Sequence, residues 1–257
     1  MPTNEATDTT PSTAGATSSH QWYINIESWT PHPDEWKSIL NLLPVEEQKE
    51  VMRFHFQKDQ KFALCSRLFQ RKVVVDAFHV PFESVAITRN DHGKPSWTAC
   101  PVPTWNYNVS HHGAICAIAS QGDRRIGIDV VRVDMPRESV AEFFSCFELQ
   151  FGPREWVYIR AAVAPADQVE RFYLLWSLKE AYTKAIGVGI VIDLQRQQFE
   201  IVDGVVSLFV DDQKADAWHF VITRLDASHY VTIAAEGGMM PVSWTRLQAA
   251  DLAPKRE

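Results

Sequence analysis

One stretch limits the folds open to this chain more than any other: residues 176–184, with the sequence WSLKEAYTK. Glu180 and Lys184 stand four positions apart in a run that otherwise has the apolar pattern of a buried helix. Side chains at this spacing lie on one helical face, so the carboxylate and the ammonium can reach the same point. A divalent cation binds carboxylates, and a phosphate binds both the cation and an ammonium. The alternative is a solvated surface ion pair, which is common at this spacing.

Two features favour a binding site over a surface pair. Apolar side chains surround the pair along the predicted helix: Phe172, Leu175, Trp176, Leu178 and Tyr182. Asp129 follows the apolar strand 126–128, where an acid is either a turn residue or a metal ligand. With Glu180 as a second oxygen ligand, Asp129 can hold Mg²⁺ while waters and phosphate oxygens complete the octahedron.

Two polar segments add candidate phosphate contacts. Residues 108–113, NVSHHG, combine a hydroxyl, an imidazole expected to be partly protonated, and backbone amides. No G-x-S-x-G turn surrounds Ser110, so the segment does not indicate nucleophilic catalysis. A polar turn with one buried histidine is the alternative. Residues 92–95, HGKP, suit a loop that approaches a ligand, although an ordinary turn is the simpler interpretation.

The composition excludes several classes of protein. The chain has 257 residues, of which 46% are hydrophobic and 22% charged, enough for one large domain or two small ones. Its net charge of −7 argues against nucleic-acid binding. No apolar run approaches the about 20 residues that span a bilayer. The cysteines lack zinc-site spacing and a disulfide scaffold is unexpected at this size, so we predict reduced thiols and a cytoplasmic protein.

The order of predicted elements indicates an α+β fold. A strand at 22–26 precedes a long helical region from Pro44 to just before Pro81. The apolar runs 114–120 and 125–133 predict a hairpin. A second long helix, capped by Asp167 with Glu170 at the capping-box position, ends at Ile186 before Gly187. Further strands are predicted near 198–202, 205–210, 218–223 and 229–234.

This order suggests two pseudo-symmetric α+β halves in tandem, each a small antiparallel sheet packed on a long helix. We divide the chain accordingly. The predicted divisions are a disordered tail at 1–20, a first half at 21–125, a second half at 126–240 and a tail at 241–257.

Four motifs carry a resemblance to a known family. Residues 93–95 (GKP), 108–111 (NVSH), 127–129 (GID) and 176–185 (WSLKEAYTKA) occur in this order. Together they resemble the Sfp-like family of 4′-phosphopantetheinyl transferases, over roughly 22–234. The resemblance is greatest to its animal branch, the aminoadipate-semialdehyde dehydrogenase phosphopantetheinyl transferases.

The resemblance implies an activity and a site. Members bind coenzyme A in the cleft between the two halves and transfer its phosphopantetheine arm to a carrier-protein serine, releasing adenosine 3′,5′-bisphosphate. Asp129 and Glu180 would bind Mg²⁺, Glu180 would act as base with a pKa kept low by the cation, and Lys184 would neutralise phosphate charge. Predicted coenzyme A contacts are Lys49, Arg89, Asn90, Asp91, His92, Gly93, Lys94, Asn108, Val109, Ser110, His111, Asp129, Glu180 and Lys184.

Three positions remain open within this assignment. The family places a cation on the first helix, and the spacing before Phe54 leaves Lys49 and Arg53 as alternatives. Many bacterial members carry an acid where this chain has Val131, a position that a water would fill. The animal branch has Gln where this chain has His112, an imidazole that would make activity more sensitive to pH.

The implied partners are coenzyme A and apo acyl or peptidyl carrier proteins of fatty-acid, polyketide, peptide-synthetase or aminoadipate pathways. We expect a monomer, with Arg124, Arg125 and the region after Arg137 as candidate docking surface for an acidic carrier. One rival is a module that holds coenzyme A without transferring anything. The other is a trimeric-type holo-acyl-carrier-protein synthase, which the length of the chain disfavours.

Overall fold

The computed structural model describes residues 19–90, 93–188, 193–238 and 241–254. The predicted tail at 1–20 lies outside these residues except for Ser19 and His20, and the first strand begins at Gln21 as expected. The fold is α+β, with small, largely antiparallel sheets and two long helices, as predicted.

The first half contains five strands and three helices in its described part. The strands are β1 (Gln21–Asn25), β2 (Ile87–Arg89), β3 (Pro95–Trp97), β4 (Asn106–His112) and β5 (Ile115–Gln121). The helices are α1 (Pro33–Leu40), α2 (Val45–Met52) and α3 (Gln57–Phe78). Helix α3 forms the centre of the first core, in which Leu64, Leu68 and Phe69 are fully buried.

The second half repeats the pattern around α6. Its strands are β6 (Ile126–Arg132), β7 (Gln197–Val202), β8 (Val205–Val210), β9 (Gln213–Lys214), β10 (Trp218–Arg224) and β11 (His229–Glu236). Its helices are α4 (Val140–Ser145), α5 (Pro153–Arg160) and α6 (Pro165–Ile186). In the second core, Phe143 and Phe144 of α4 pack against Phe172 of α6, and Trp156 of α5 packs against Phe144.

The predicted hairpin between 114–120 and 125–133 is wrong. Strand β5 is hydrogen-bonded on one edge to β1 and on the other to β4, so it has no free edge for β6. Strand β6 instead pairs with β11 in the sheet β10-β11-β6. The true hairpin is β4–β5, and residues 122–125 carry the chain from one sheet to the other.

The single long helix predicted between Pro44 and Pro81 is two helices. Helix α2 ends at Met52 and α3 begins at Gln57. The intervening residues 53–56, RFHF, include aromatic side chains, which have low helix propensity. The side-chain amide of Gln60 donates a hydrogen bond to the Phe54 carbonyl, which holds this break.

The predicted cap of the second long helix is also wrong. Helix α6 starts three residues earlier, with Pro165 as its first residue and Ala164 as a cap without a side-chain hydrogen bond. Proline suits this position because its missing N–H has no partner there in any case. Asp167 lies in the first turn, and Glu170 accepts a hydrogen bond from the Tyr230 hydroxyl instead of closing a capping box.

Helix α6 approaches β6 closely at Gly127. A Cβ atom at this position would lie 2.1 Å from the Ala181 carbonyl oxygen and 2.4 Å from the Ala185 amide nitrogen. Only glycine fits such an approach without displacing the helix backbone. The contact sets α6 against the strand that carries Asp129.

Residues 241–254, predicted as part of a tail, pack on the first half. Strand β12 (Thr245–Arg246) pairs in parallel with β1, which makes the first sheet β12-β1-β5-β4. Ala249 and Leu252 are buried in the first core. No helix among the described residues has the length and apolarity to cross a membrane.

Candidate active site

A cavity of about 380 Å³ opens between the two halves. Helix α6 contributes one face to it, with Glu180, Thr183, Lys184 and, just past the helix end, Gly187 at helical spacing. The predicted site residues that line the cavity are Arg89, Gly93, Lys94, Asn108, Val109, His111, Glu180 and Lys184. A larger open cavity of about 1010 Å³ elsewhere, next to Lys72 and His79, contains none of the predicted site residues.

Lys184 joins the two halves at this cavity. Its Nζ atom lies 2.6 Å from Asp129 Oδ1 and 3.0 Å from Ser110 Oγ. The Ser110 hydroxyl donates to Asp129 Oδ1 over 3.0 Å. The Asp129 side chain is 8% exposed and that of Lys184 is 30% exposed, so the carboxylate is buried while the ammonium reaches the cavity. The structure therefore brings together three residues that lie far apart in the sequence.

Glu180 faces the same cavity without a hydrogen-bond or ion-pair partner among the described residues. Burial raises the pKa of Glu180 above its ordinary value, Lys184 lowers it, and Asp129 raises it further. The low pKa expected for Glu180 refers to a protein with a cation bound beside it. In the absence of that cation, the carboxylate is held in an environment that disfavours its charge.

The surroundings of His111 favour its neutral imidazole, in contrast to the partly protonated one expected from the sequence. Its ring stacks on Phe62 with a centroid distance of 4.5 Å. Burial lowers the pKa of His111, and the nearby Lys184 lowers it further. A neutral imidazole can donate one hydrogen bond to a phosphate but adds no positive charge.

Lys94 reaches across to the second half. Its Nζ atom lies 3.1 Å from the carbonyl oxygen of Lys184 and 3.4 Å from that of Ala185. These carbonyls are at the C-terminal end of α6, where a cation is favoured. Burial, followed by repulsion from Arg125, lowers the pKa of Lys94.

The loop before Lys94 is held by its own hydrogen bonds. Gly93 has a positive φ of 78°, and its carbonyl accepts a hydrogen bond from Arg89 Nη1 over 2.8 Å. The Asn90 side chain accepts a hydrogen bond from the Lys94 amide over 2.8 Å. The predicted contacts Asp91 and His92 lie outside the described residues.

The structure does not place Lys49 in the cavity. Lys49 lies on the exposed face of α2, where its Nζ atom pairs with Glu46 Oε1 at 2.8 Å. The alternative, Arg53, pairs with Glu50 at 2.9 Å on the same helix. Each cation has an acid three positions earlier, so local pairing within or at the end of α2 outweighs a reach towards the cleft.

The two arginines proposed for carrier docking are also paired with acids. Arg124 contacts Asp123 at 2.9 Å, and Arg125 contacts Glu236 at 2.6 Å. Their positive charge is thus largely neutralised within the chain, which weakens them as a surface for an acidic partner.

Two cavity residues were not identified from the sequence. Thr183 lies three positions after Glu180, so helical periodicity could have found it. Its buried hydroxyl has no hydrogen-bond partner in the described part of the chain. Ser66 comes from α3 in the first half, and no local pattern marks it.

Comparisons with known proteins identify matches over both halves of the chain. The family model described as "4'-phosphopantetheinyl transferase, N-terminal" matches residues 27–123, and that of the "4'-phosphopantetheinyl transferase superfamily" matches residues 125–234. An L-aminoadipate-semialdehyde dehydrogenase-phosphopantetheinyl transferase of Xenopus laevis is 34% identical over 227 residues, which is 83% of this chain and 75% of the relative. The Homo sapiens protein of that name is 31% identical over 83% of this chain and 74% of its own length.

Two further comparisons extend this result. A phosphopantetheinyl transferase of Thraustochytrium is 33% identical, over 90% of this chain and 85% of its own length. The solved structure of Thermotoga maritima holo-[acyl-carrier-protein] synthase covers 45% of this chain and 64% of its own, with 22% identity and a TM-score of 0.35. That score is too low to support a conclusion. The sequence matches confirm the resemblance, and the chain belongs to the 4′-phosphopantetheinyl transferase family.

Proposed function

We propose that this protein transfers the 4′-phosphopantetheine arm of coenzyme A to a serine of an apo acyl or peptidyl carrier protein. The membership of the family supports this reaction class. One observation links the proposed reaction to specific residues. Glu180, Lys184 and the Lys184-bound Asp129 gather at one cavity built from both halves.

The two carboxylates fit a magnesium ion. The charge of Asp129 raises the pKa of Glu180, and a divalent cation bound by both carboxylates would relieve this repulsion. No group of three or more potential ligand side chains occurs among the described residues. The protein would thus supply two oxygen ligands, and phosphates and waters the others, as Mg²⁺ usually prefers. Bound Mg²⁺ would withdraw negative charge from the pyrophosphate oxygens.

Glu180 is the residue placed to accept the serine proton. The serine Oγ attacks the phosphorus that carries the pantetheine, and the bond from that phosphorus to the leaving oxygen breaks. Adenosine 3′,5′-bisphosphate leaves with this oxygen, while the serine proton moves to the Glu180 carboxylate. Glu180 has no competing hydrogen bond within the described residues, so its position at the cavity, and not a raised pKa, would suit it to act as the base when Mg²⁺ is bound beside it.

Lys184 supplies the positive charge that phosphoryl transfer requires. In the structure its ammonium is held by Asp129 and Ser110 at 2.6 and 3.0 Å. It is 30% exposed towards the cavity, so a phosphate oxygen can take its place beside the ammonium without a change of fold. Fixed positive charge of this kind stabilises the transition state more than the ground state.

The remaining cavity residues would hold coenzyme A. Lys94 and Arg89 supply cations and His111 a neutral donor from the first half. The volume of about 380 Å³ suits part of a coenzyme A molecule, with the rest in the open cleft.

We further propose a cytoplasmic monomer. The cavity is completed by the two halves of one chain, so no second copy is needed to build it. The four cysteines are free thiols, which agrees with a reducing compartment. A single species of about 29 kDa in light scattering, given the mass of 29.3 kDa, would agree with the monomer, and a larger one would overturn it.

Intact-mass spectrometry of an apo carrier protein tests the proposed reaction. The carrier is incubated with this protein, coenzyme A and Mg²⁺, with a chelator in a parallel sample. We expect a mass increase of one phosphopantetheine that disappears with the chelator. No increase across fatty-acid, polyketide and peptide-synthetase carriers, despite measurable coenzyme A binding, would instead show a binding module that transfers nothing.

A further inference from the structure

The sheet β12-β1-β5-β4 and the sheet β10-β11-β6 meet along β4 and β6. These two strands are joined by side-chain hydrogen bonds instead of backbone pairing. Four alternate residues of β4 each accept a hydrogen bond from an alternate backbone amide of β6. The rungs are Asn106 with Ile126 (3.1 Å), Asn108 with Ile128 (2.9 Å), Ser110 with Val130 (3.2 Å) and His112 with Arg132 (3.0 Å). We call this row of four hydrogen bonds the side-chain seam, and each of its hydrogen bonds a rung.

The register of β6 explains why these amides need partners. At the ends of its pairing with β11, Val133 donates to the Ser228 carbonyl and Arg125 accepts from the Glu236 amide. Hydrogen-bonded residues alternate along an antiparallel pair, so the odd-numbered residues of β6 bond to β11. The even-numbered amides therefore point towards β4, and a buried amide there must find an acceptor.

We infer that Asn108 is a positioning residue, which acts through the Ile128 amide to hold Asp129 against Ser110 and Lys184. Asn108 is 5% exposed and Ile128 is fully buried, so this hydrogen bond is largely shielded from water. The rungs from Asn108 and Ser110 bracket Asp129, one residue before it and one after it. The inference rests on the proposed function, in which Asp129 takes part in the reaction.

This role differs from direct contact with coenzyme A. Asn108 lines the cavity, but its side-chain oxygen is bonded to the second half over 2.9 Å. Loss of that oxygen would leave the Ile128 amide unpaired in a buried place, and the strand would move to satisfy it. A displacement of about 1 Å at a reacting group can lower a rate by about 10²-fold, while contacts to the rest of the ligand persist.

Asn106 provides a matched control at the far end of the same seam. Its oxygen accepts from Ile126, and its amide nitrogen donates to the carbonyls of Thr104 (3.0 Å) and Arg124 (2.6 Å). Asn106 therefore makes more hydrogen bonds than the single seam bond of Asn108, but its rung is three residues from Asp129. If the seam served only the stability of the fold, Asn106→Ala would lower both stability and activity more than Asn108→Ala.

The test compares Asn108→Ala with Asn106→Ala in the full chain. For Asn108→Ala we expect kcat for carrier loading to fall about 10²-fold, with the Kd for coenzyme A changed by less than about threefold. Amide hydrogen exchange at Ile128 should accelerate in the same variant. For Asn106→Ala we expect the larger loss of thermal stability and a kcat within about threefold of the unsubstituted protein.

Three results would overturn the inference. They are equal loss of kcat in the two variants, a loss of coenzyme A affinity as large as the loss of kcat, and unchanged exchange at Ile128 in Asn108→Ala. If Asn108→Ala does not fold, Asn108→Asp replaces it, since a carboxylate keeps the acceptor and should retain slow exchange at Ile128. Absence of loading by the unsubstituted protein overturns the proposed function instead, whereas the exchange and affinity measurements need no carrier.

Discussion

Two lysines of helix α6, five residues apart, show how the same kind of ion pair can serve structure or function. Lys179 pairs with Glu155 at 2.8 Å, and neither side chain is exposed to solvent. Lys179 also donates to the carbonyls of Leu194 and Gln197. Glu155 accepts hydrogen bonds from the backbone amides of Gly152 and Phe199, at 2.8 and 3.0 Å. Every partner of this pair belongs to the second half.

The pair of Lys184 with Asp129 differs in its surroundings. It is slightly shorter, at 2.6 Å, but Lys184 is 30% exposed and faces the cavity beside Glu180. Ser110 from the first half completes the contact. Five residues along a helix turn the side chain by about 140°. One lysine therefore lies in the second core and the other in the cleft.

The difference between the pairs lies in what each leaves unsatisfied. Burial lowers the pKa of Lys179 and raises that of Glu155, so the charges persist only because all their hydrogen bonds are made. At the cleft, Glu180 is half-buried and its carboxylate has no hydrogen bond among the described residues, and Lys184 has room for another anion. The account thus assigns stability to the first pair and transfer to the second.

The largest expected effect comes from breaking the buried pair. Lys179→Met leaves the Glu155 carboxylate buried without a counter-charge, which should cost about 3–5 kcal/mol of unfolding free energy. Urea denaturation measures this loss. The double variant Lys179→Met/Glu155→Gln removes both charges and keeps an acceptor for Phe199, so it should recover most of the stability. If the double variant were no more stable than Lys179→Met, the unpaired charge of Glu155 would not be the cause of the lost stability.

The next largest effect should be on transfer alone. Glu180→Gln removes the proposed base and should lower the rate of carrier loading by about 10²–10⁴-fold, measured by intact mass. The raised pKa of Glu180 means that the unfolded chain ionises first as the pH rises, so the native carboxylate costs stability above the ordinary pKa of glutamate. Glu180→Gln should therefore be at least as stable as the unsubstituted protein at neutral pH. Loss of both stability and carrier loading in Glu180→Gln would show that Glu180 has a structural role.

Lys184→Ala should affect transfer more than binding. Removal of one charge that stabilises the transition state should lower kcat by about 10²-fold, with a smaller change in the Kd for coenzyme A. The loss of stability should be smaller than that of Lys179→Met, since Lys184 is partly exposed and the Ser110 hydroxyl still donates to Asp129. Lys214→Ala, which removes an exposed pair with Asp216, is the matched control and should leave both quantities unchanged. Equal losses in kcat and affinity would show a binding role only.

The smallest expected effect concerns His112. Its Nδ1 accepts the Arg132 amide, and burial lowers the pKa of this imidazole. As the pH falls through the ordinary histidine pKa, the unfolded chain takes up the proton first, so this contribution to stability is lost on acidification. Protonation of His112 removes the acceptor and with it the last rung of the seam. His112→Gln, whose amide oxygen can still accept, should flatten the pH profile of transfer on the acidic side of the ordinary histidine pKa of about 6.5. An unchanged profile would refute this role.

Local patterns predicted the parts of the molecule that depend on local geometry. The pair Glu180 and Lys184 followed from helical spacing, and the end of α6 followed from Gly187, which has a positive φ of 74°. Asp129 was identified by its place directly after the apolar strand 126–128. In each case the information lies within a few residues of the side chain concerned.

Long-range pairing could not be predicted in the same way. Alternating or apolar runs identify β5 and β6 as strands but do not state which strand each one meets, and the predicted hairpin was wrong for that reason. Strand β12 pairs with β1 across more than 200 residues of sequence. The side-chain seam depends on which edge of β6 is left without a backbone partner, and that is fixed only when β11 has paired.

The most direct test of the account places three variants in one intact-mass assay with the same apo carrier, coenzyme A and Mg²⁺. The account predicts that the unsubstituted protein and Lys179→Met/Glu155→Gln load the carrier at rates within about threefold of each other. Lys184→Ala and Glu180→Gln should fold normally and load it about 10²-fold more slowly or not at all. Normal loading by Lys184→Ala and Glu180→Gln would contradict the assignment of the cleft as the site of transfer.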